Sequence, residues 1–509
     1  MTRGTAAALT TVWLALPGSG TGPVKTTYGL VAGITGRNPA VTVFKGIPFA
    51  APPIGARRWQ APAPPAAWEG VRKADAFSPS CIQTIVTEKK PWTYEFMAHG
   101  EVSEDCLYLN VWTPAASAGT RRPVFVYIYG GGNVEGSGSV PAYDGEGLAS
   151  KGLVVVTFNY RVGVLGFFSH PDLNKESSYH ASGNYGLLDQ IGAIRWVHEN
   201  IAAFGGDPDR VTVAGQSAGA NAVHSLTASP LAKGLFQRAI ADSGAGVIGP
   251  RTMAEQEADG VRFAEAKKAH SIADLRAMPW QEVVVAIPGI RFAVVPDGYA
   301  LPGTVRQIFA AGKQNDVPTL TGANADEGGA VPHPTTTLEA FQRDAKQRYG
   351  ETADDFLKLY PAATDEEARR AQNDSARDRA RATLYFWALD RAKTAKTNAF
   401  TYFWTHPLPG PDVDQYGAFH TSEVPYVLNT LSMSNRPFTA KDHQIADTLS
   451  SYWVNFATTG DPNGKGLPLW TAVGKDAAVT MEVGEEFRAI PIAGSPARIE
   501  FFRRFLSER

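Results

Sequence analysis

The sequence is poor in cysteine and shows no excess of charge of either sign. Two cysteines, Cys81 and Cys106, occur in 509 residues, so the chain can form at most one internal disulfide. The formal net charge is −2, from 48 basic and 50 acidic residues. This balance gives no electrostatic reason to expect nucleic acid or an anionic membrane as a partner. No Cys/His cluster of the kind that holds a metal ion occurs, and we expect no cofactor.

Long apolar runs are also lacking. After the N-terminal segment, no stretch is long and apolar enough to form a transmembrane helix. The N-terminus carries Arg3, a short and mostly apolar run at 6–16 and small residues at 18–20, a pattern typical of a cleaved export signal. We therefore expect residues 1–22 to be a signal peptide and the protein to be secreted or periplasmic. A disordered tail is the alternative.

What the sequence does contain is a regular alternation of apolar strand patterns and helical patterns. Continuous apolar runs at 123–129 and 152–160 are typical of strands that are buried on both faces of a sheet. A helical pattern at 187–204 and strand patterns at 211–215 and 236–244 follow. This order predicts an α/β protein with a large, mostly parallel sheet and helices on both faces. Ligands bind such sheets at the carboxyl ends of the strands.

The pattern G-x-S-x-G lies at the carboxyl end of one predicted strand, at 215–219. Glycines at its two ends permit a sharp strand-to-helix turn that exposes the hydroxyl of Ser217. The amide of Ala218, at the helix N-terminus, faces the same space. This pattern also arises by chance in long, glycine-rich chains, so the flanking strand and helix are the context that favours a nucleophile.

A glycine run, GGGN at 130–133, directly follows the apolar run at 123–129. Because glycine has no side chain, the backbone amides of Gly131 and Gly132 are open to a substrate carbonyl oxygen. Together with Ala218 they are candidates for an oxyanion hole. A flexible linker is the alternative, but the position after a buried strand argues against it.

The segment at 336–397 differs from the rest because it is helical and strongly charged. Thr336 with Glu339, and Thr364 with Glu367, predict capping boxes at helix starts. Near the C-terminus, an amphipathic pattern at 499–506 predicts a helix that packs on the domain.

Motifs in a fixed order run through most of the chain and carry a family resemblance. They are FKGIPFA (44–50), SEDCLYLN (103–110), YGGG (129–132), NYR (159–161), GNYGLLDQ (183–190), FGGDP (204–208), WVNFA (453–457) and GDPN (460–463). With them the chain resembles the type-B carboxylesterases, the branch of the α/β-hydrolase superfamily that includes para-nitrobenzyl esterases, carboxylesterases and cholinesterases.

The resemblance implies an α/β-hydrolase fold, with a single domain over residues 23–509 and a helical insertion at about 334–397 that lies over the active-site gorge. Cys81 and Cys106 stand where the family has its first disulfide. Export and the loop between the two cysteines also favour a disulfide, and a pair of buried free thiols is the alternative.

A nucleophilic serine needs a general base and an acid that orients the base, in the chain order nucleophile, acid, base. Spacing cannot choose between the neighbours Asp326 and Glu327 as the acid. It also leaves four histidines open as the base: His333, His406, His420 and His443. The resemblance of 326–328 and of 417–426 to the family's acid and histidine blocks implies that Glu327 and His420 fill these roles.

The resemblance therefore implies a serine carboxylic-ester hydrolase that acts on a small-molecule ester. Ser217 would attack the ester carbonyl, His420 would take its proton, and Glu327 would orient the imidazole. The alternative is a non-catalytic binding or adhesion protein on the same fold, and the complete set of site residues argues against it.

Several positions depart from the family pattern or have an open role. Gln216 stands where many members carry Glu, and Asn133 stands where an aromatic residue is common. Trp92 lies too early in the chain to match the aromatic residue that binds choline in cholinesterases. We therefore expect a neutral or anionic ester and not a choline ester. Ser243 matches a family serine near the acid, and either a hydrogen bond to the acid or a purely structural role is expected.

Overall fold

The centre of the computed structural model is a β-sheet, and the structure describes residues 22–114, 119–244, 251–328 and 336–507. The predicted signal peptide at 1–22 falls almost wholly outside these residues. In chain order the strands are β1 (Val24–Lys25), β2 (Leu30–Ala32), β3 (Ile34–Thr35), β4 (Thr42–Pro48), β5 (Val71–Lys73), β6 (Ser80–Cys81), β7 (Val102–Ser103), β8 (Tyr108–Thr113), β9 (Arg122–Ile128), β10 (Val154–Phe158), β11 (Gly206–Gln216), β12 (Arg238–Asp242), β13 (Thr319–Asn324), β14 (Ala399–Trp404), β15 (Val479–Val483) and β16 (Arg488–Pro491).

The helices connect and cover these strands. They are α1 (Glu146–Ser150), α2 (Gly163–Phe167), α3 (Pro171–Glu176), α4 (Tyr185–Asn200), α5 (Ala218–Ala228), α6 (Met253–Ala266), α7 (Ile272–Ala277), α8 (Trp280–Val283), α9 (Val305–Ala310), α10 (Leu338–Tyr349), α11 (Ala353–Leu359), α12 (Asp365–Arg391), α13 (Val413–Tyr416), α14 (Val424–Val427), α15 (Ala440–Thr459) and α16 (Pro496–Ser507). Short 3-10 helices lie at Gly55–Arg57, Tyr94–Phe96, Pro141–Tyr143, Ile201–Phe204, Pro230–Ala232, Gly350–Thr352 and Leu431–Met433.

Within the described residues, the main sheet has 11 strands in the order β16-β15-β14-β13-β12-β11-β9-β10-β8-β4-β3. The pairs from β10 to β15 are parallel, and the outer pairs on both sides are antiparallel. Helices such as α4, α5, α12 and α15 pack against it. The prediction of an α/β fold with a large, mostly parallel sheet and helices on both faces is confirmed.

The central strands are buried because the sheet is covered on both sides. All five residues of β10 are buried, and in β9 every residue after Arg122 is buried. The helical pattern at 187–204 corresponds to α4 and the 3-10 turn Ile201–Phe204, which ends at Gly205 with φ 79°. Glycine adopts this left-handed conformation without steric cost, so it ends the helix and starts β11.

The charged segment forms α10, α11 and α12, which share a small aromatic core with α16. The capping box predicted at Thr336 and Glu339 is wrong. Thr337 is the N-cap of α10 and its side chain accepts a hydrogen bond from the amide of Ala340, whose methyl side chain cannot complete a capping box. The carboxylate of Asp365 accepts from the amide of Leu338 at the same helix start. The predicted C-terminal packing helix is confirmed as α16.

Cys81 and Cys106 form a disulfide with a Cα–Cα distance of 5.0 Å. The expectation of one disulfide is therefore confirmed, and the bond closes a loop that we call the cystine loop (residues 81–106). Across the ranges described above, no helix combines the length and the apolar character that a membrane span requires.

Candidate active site

Ser217 lies at the turn between β11 and α5, at the carboxyl end of a central strand. Its backbone has φ 61° and ψ −120°, a conformation that non-glycine residues rarely adopt. A Cβ atom at Gly219 would lie 2.0 Å from the carbonyl oxygen of Ile128, and one at Gly215 would lie 2.6 Å from the backbone of Gly219. The turn is thus compatible only with glycine at both ends of the G-x-S-x-G pattern.

The glycine run forms a second turn directly beside the serine. Gly131, Gly132 and Asn133 all have positive φ angles, of 98°, 63° and 61°. A Cβ atom at Gly130 would lie 2.9 Å from Cβ of Ser217, so the two turns are in contact. Among the described residues, no backbone acceptor is bonded to the amides of Gly131 and Gly132.

The amide of Ala218 is available on the other side of the serine. As the first residue of α5, Ala218 has no intrahelical partner for its N–H group. The arrangement therefore provides backbone amides on two sides of the Ser217 side chain.

The structure also distinguishes the two neighbouring acids. Oε2 of Glu327 lies 2.5 Å from Nδ1 of His420, and the other carboxylate oxygen of Glu327 accepts a hydrogen bond of 2.7 Å from the amide of Asn324. The carboxylate of Asp326 accepts hydrogen bonds of 2.8 Å from Arg377 and 2.9 Å from the amide of Ala418. Of the adjacent pair, Glu327 is the one that contacts a histidine.

The other candidate histidines lie in different surroundings. His420 lines the same cavity as Ser217. His406 is bonded to Asp442 at 2.9 Å, and His443 is exposed on α15. His333 lies outside the described residues.

The charges around the imidazole control its protonation. Desolvation lowers the pKa of His420, but the charge and hydrogen bond of Glu327, with a smaller contribution from Glu423, outweigh it and raise the pKa above 6.5. Burial alone would raise the pKa of Glu327, yet its interaction with His420 and its hydrogen bonds bring the pKa below the ordinary value. The pair therefore stabilises a protonated imidazole beside an ionised carboxylate.

The cavity in front of these residues has a volume of about 250 Å³. Apolar side chains make up much of its lining: Val86, Trp92, Phe96, Met97, Ala98, Val134 and Tyr143. Two charged residues at its wall, Lys89 and Glu135, lie 3.6 Å apart and neutralise each other. Nε2 of Gln216 lies 3.2 Å from Nε2 of His420, so a neutral amide occupies the position beside the imidazole.

Three residues around His420, which are Asn324, Glu423 and Trp92, have no role in the sequence prediction. The amide nitrogen of Asn324 donates to Glu327, and its side chain lies 2.5 Å from the buried carboxylate of Glu423. Glu423 follows His420 by three residues within the same motif, so proximity in sequence was the available signal. The position of Trp92 in the chain gives it no predicted role, yet its ring lies edge-on to the His420 ring at 6.5 Å between centroids.

Ser243 lies behind the acid. Its buried hydroxyl makes no hydrogen bond of normal geometry among the described residues, yet it lies close enough to Glu327 to help lower the pKa of that carboxyl. Ser243 is thus a neighbour of Glu327, and its hydroxyl acts on the charge of that carboxylate.

A large α/β sheet with a G-x-S-x-G turn after a central strand defines the class of the α/β-hydrolases. More narrowly, the chain belongs to the carboxylesterase family, whose model matches residues 21–501. It is 38% identical to the fumonisin B1 esterase of Sphingopyxis macrogoltabida over 463 residues, which cover 86% of this chain and 82% of that protein.

Other relatives are esterases too. The chain is 34% identical to the para-nitrobenzyl esterase of Bacillus subtilis (strain 168), over 91% of this chain and 95% of that protein. It is 33% identical to the human carboxylesterase 3, over 97% of this chain and 93% of that protein. The protein is therefore a carboxylesterase, an enzyme that hydrolyses carboxylic esters.

Proposed function

We propose that this carboxylesterase uses Ser217 as the nucleophile, His420 as the general base and Glu327 as the orienting acid. The observation that carries the proposal is the 2.5 Å contact between Glu327 and His420, whose ring lines the same cavity as Ser217. A carboxylate at Nδ1 fixes the tautomer in which Nε2 is the proton-accepting nitrogen, and this is the nitrogen that a general base needs toward the serine. The raised pKa of His420 supports the same role, because the imidazolium must be stabilised when it forms.

In this mechanism Ser217 attacks the ester carbonyl while His420 takes its proton. The amides of Gly131, Gly132 and Ala218 hold the negative oxygen of the tetrahedral intermediate, and each such donor contributes about 10²–10³ in rate. The imidazolium then protonates the departing alcohol. Water, activated by His420, hydrolyses the acyl-enzyme and restores the serine.

The proposed substrate is a neutral or anionic ester. Gln216 places an amide beside the imidazole, and Lys89 and Glu135 cancel each other at the wall, so no carboxylate among the described residues that line the cavity is left unpaired for a cationic alcohol. Since Glu327 is committed to His420, it is a poor partner for a substrate cation. The names of relatives, which include a fumonisin B1 esterase and a para-nitrobenzyl esterase, support a bulky ester.

We also propose that the enzyme is exported, which the disulfide supports.

The test of the nucleophile is hydrolysis of p-nitrophenyl esters from acetate to palmitate by the wild type and by Ser217→Ala. We expect the substitution to lower kcat by about 10⁴-fold or more. Ser225→Ala is the matched control, because it removes a buried hydroxyl of α5, the helix that begins directly after Ser217, and this hydroxyl donates to the carbonyl of Asn221. Activity that survives in Ser217→Ala would overturn the assignment.

The test of the substrate class compares acetylcholine with its uncharged isostere, 3,3-dimethylbutyl acetate. The two esters have nearly the same shape and differ in charge, so the ratio of their kcat/KM values isolates the electrostatic contribution of the cavity. We expect the uncharged ester to be preferred or equal. A clear preference for acetylcholine would contradict the neutral-substrate proposal and leave the triad untouched.

A further inference from the structure

Trp92 connects the cystine loop to the turn that carries the histidine. Its indole Nε1–H lies 3.1 Å from the carbonyl oxygen of His420 and 3.1 Å from Oγ1 of Thr421, so one donor is shared between two adjacent residues. The indole and imidazole rings meet edge to face, at an interplanar angle of 87°. Trp92 thus holds the backbone of the histidine turn and flanks the imidazole.

The backbone that Trp92 holds is in an unfavourable conformation. Thr421 has φ 88°, in the region that favours glycine, and threonine is β-branched. Such a residue keeps this conformation only when the surroundings fix it. Because Thr421 directly follows His420, relaxation of this angle would move the carbonyl and the side chain of His420 together.

The loop that carries Trp92 is itself fixed on both sides. Before Trp92, the side-chain amide of Gln83 forms two hydrogen bonds of 2.7 Å with the backbone of Gly136, just beyond the glycine run. After Trp92, Arg436 donates a hydrogen bond of 2.7 Å to the hydroxyl of Thr93. The disulfide closes the loop, so Trp92 has a rigid support. Through Gln83, this support also contacts the segment next to the proposed oxyanion hole.

We propose that Trp92 is a positioning residue, which holds His420 in reach of Ser217 by fixing the strained backbone at Thr421. The inference rests on the proposed role of His420. Trp92 exchanges no proton and acts through the backbone of the histidine turn. Removal of its N–H group therefore affects the turnover step more than the binding of the ester.

The decisive variant is Trp92→Phe, which keeps an aromatic ring in the cavity wall and removes the shared donor. We expect kcat to fall by about 10- to 100-fold, with KM changed by less than about twofold, as for a small misplacement of a catalytic group. The matched control is Trp68→Phe, because the Trp68 indole also donates to one carbonyl, that of Leu30, at 2.9 Å, and is not part of the cavity. We expect its kcat to be unchanged. A normal kcat in Trp92→Phe, an equal loss in Trp68→Phe, or a change in KM alone would overturn the proposal.

A second measurement tests the route through the strained backbone. Glycine adopts φ 88° freely, so in a Thr421→Gly background the further loss from Trp92→Phe should shrink several-fold. Equal losses in the two backgrounds would contradict this route. His420→Ala separates the two levels of the inference. If His420→Ala is inactive and Trp92→Phe is normal, positioning by Trp92 is wrong and the triad stands; if His420→Ala is active, the proposed triad itself fails.

Discussion

The turn that carries Ser217 and the turn that carries His420 both contain a residue with positive φ, yet they are held in different ways. At the serine turn, the neighbouring glycines allow backbone segments to meet at distances that no Cβ atom tolerates. At the histidine turn, side chains from distant parts of the chain fix the conformation. Glu327 contacts His420 across a sequence separation of 93, and Trp92 contacts it across a separation of 328. The first turn is defined by local sterics and the second by tertiary contacts.

This difference determines how each turn responds to substitution. The serine turn has no room for adjustment, because its neighbours are backbone atoms of the central sheet. The histidine turn is held by several independent hydrogen bonds, so the loss of one leaves the others in place. We therefore expect substitutions at the serine turn to act in an all-or-none manner and those at the histidine turn to act in graded steps.

The largest effect is expected for Gly219→Ala. The new Cβ atom would lie 2.0 Å from the carbonyl oxygen of Ile128 in β9, and this backbone cannot move without disturbing the sheet. We expect esterase activity to fall by about 10⁴-fold or more, to the level of Ser217→Ala, together with a lower Tm. Gly474→Ala is the control, because a Cβ atom added there would have nothing within 4 Å. An active Gly219→Ala enzyme would show that the serine turn adapts and would remove the contrast.

A smaller loss, of about 10³- to 10⁴-fold in kcat, is expected for Glu327→Gln. The amide cannot stabilise the imidazolium, and removal of the negative charge lowers the pKa of His420. Since the base must be neutral, the acid limb of the kcat/KM profile should move to lower pH even as the rate falls.

The neighbouring acid provides the control for that prediction. Asp326→Asn removes an adjacent carboxylate that bonds Arg377 and the amide of Ala418, while the contact to the imidazole belongs to Glu327. We expect lower stability with the acid limb nearly unchanged. If Asp326→Asn shifts the limb as much as Glu327→Gln, the charge of the whole segment matters and the specific contact does not.

The contrast also explains what the sequence could and could not predict. The mostly parallel α/β sheet and the strand before Ser217 follow from apolar runs and glycine spacing, which are local patterns. Spacing alone left Asp326 and Glu327 equivalent, and only family resemblance favoured Glu327, whose catalytic role stays a prediction. Trp92 could not be placed, because its position depends on how the cystine loop folds back over the histidine turn. Such a contact leaves no periodic signal in the sequence.

Glu423→Gln is expected to have the smallest effect on activity, and its effect on stability should depend most steeply on pH. Burial, with the nearby charge of Glu327, raises the pKa of Glu423 to about 7, although a hydrogen bond from Asn324 opposes the shift. Its folded-state pKa lies above the unfolded value, so its contribution is favourable at low pH and is lost as the pH rises through 7. Glutamine stays neutral, so Glu423→Gln should have a higher Tm than the wild type above pH 7, where its free energy of unfolding should be greater by up to about 3 kcal/mol. At pH 5 the difference in stability should be small.

In Glu423→Gln the acid limb of the kcat/KM profile should shift to lower pH by less than in Glu327→Gln, because Glu423 raises the pKa of His420 through charge alone. Asp442→Asn is the comparison of opposite sign. Hydrogen bonds from Thr439, Tyr426 and His406 outweigh desolvation and lower the pKa of Asp442, so its loss should destabilise the protein throughout the neutral range. If Glu423→Gln also destabilises at high pH, its carboxylate is a needed part of the histidine turn. That turn would then depend on a buried charge as rigidly as the serine turn depends on its glycines.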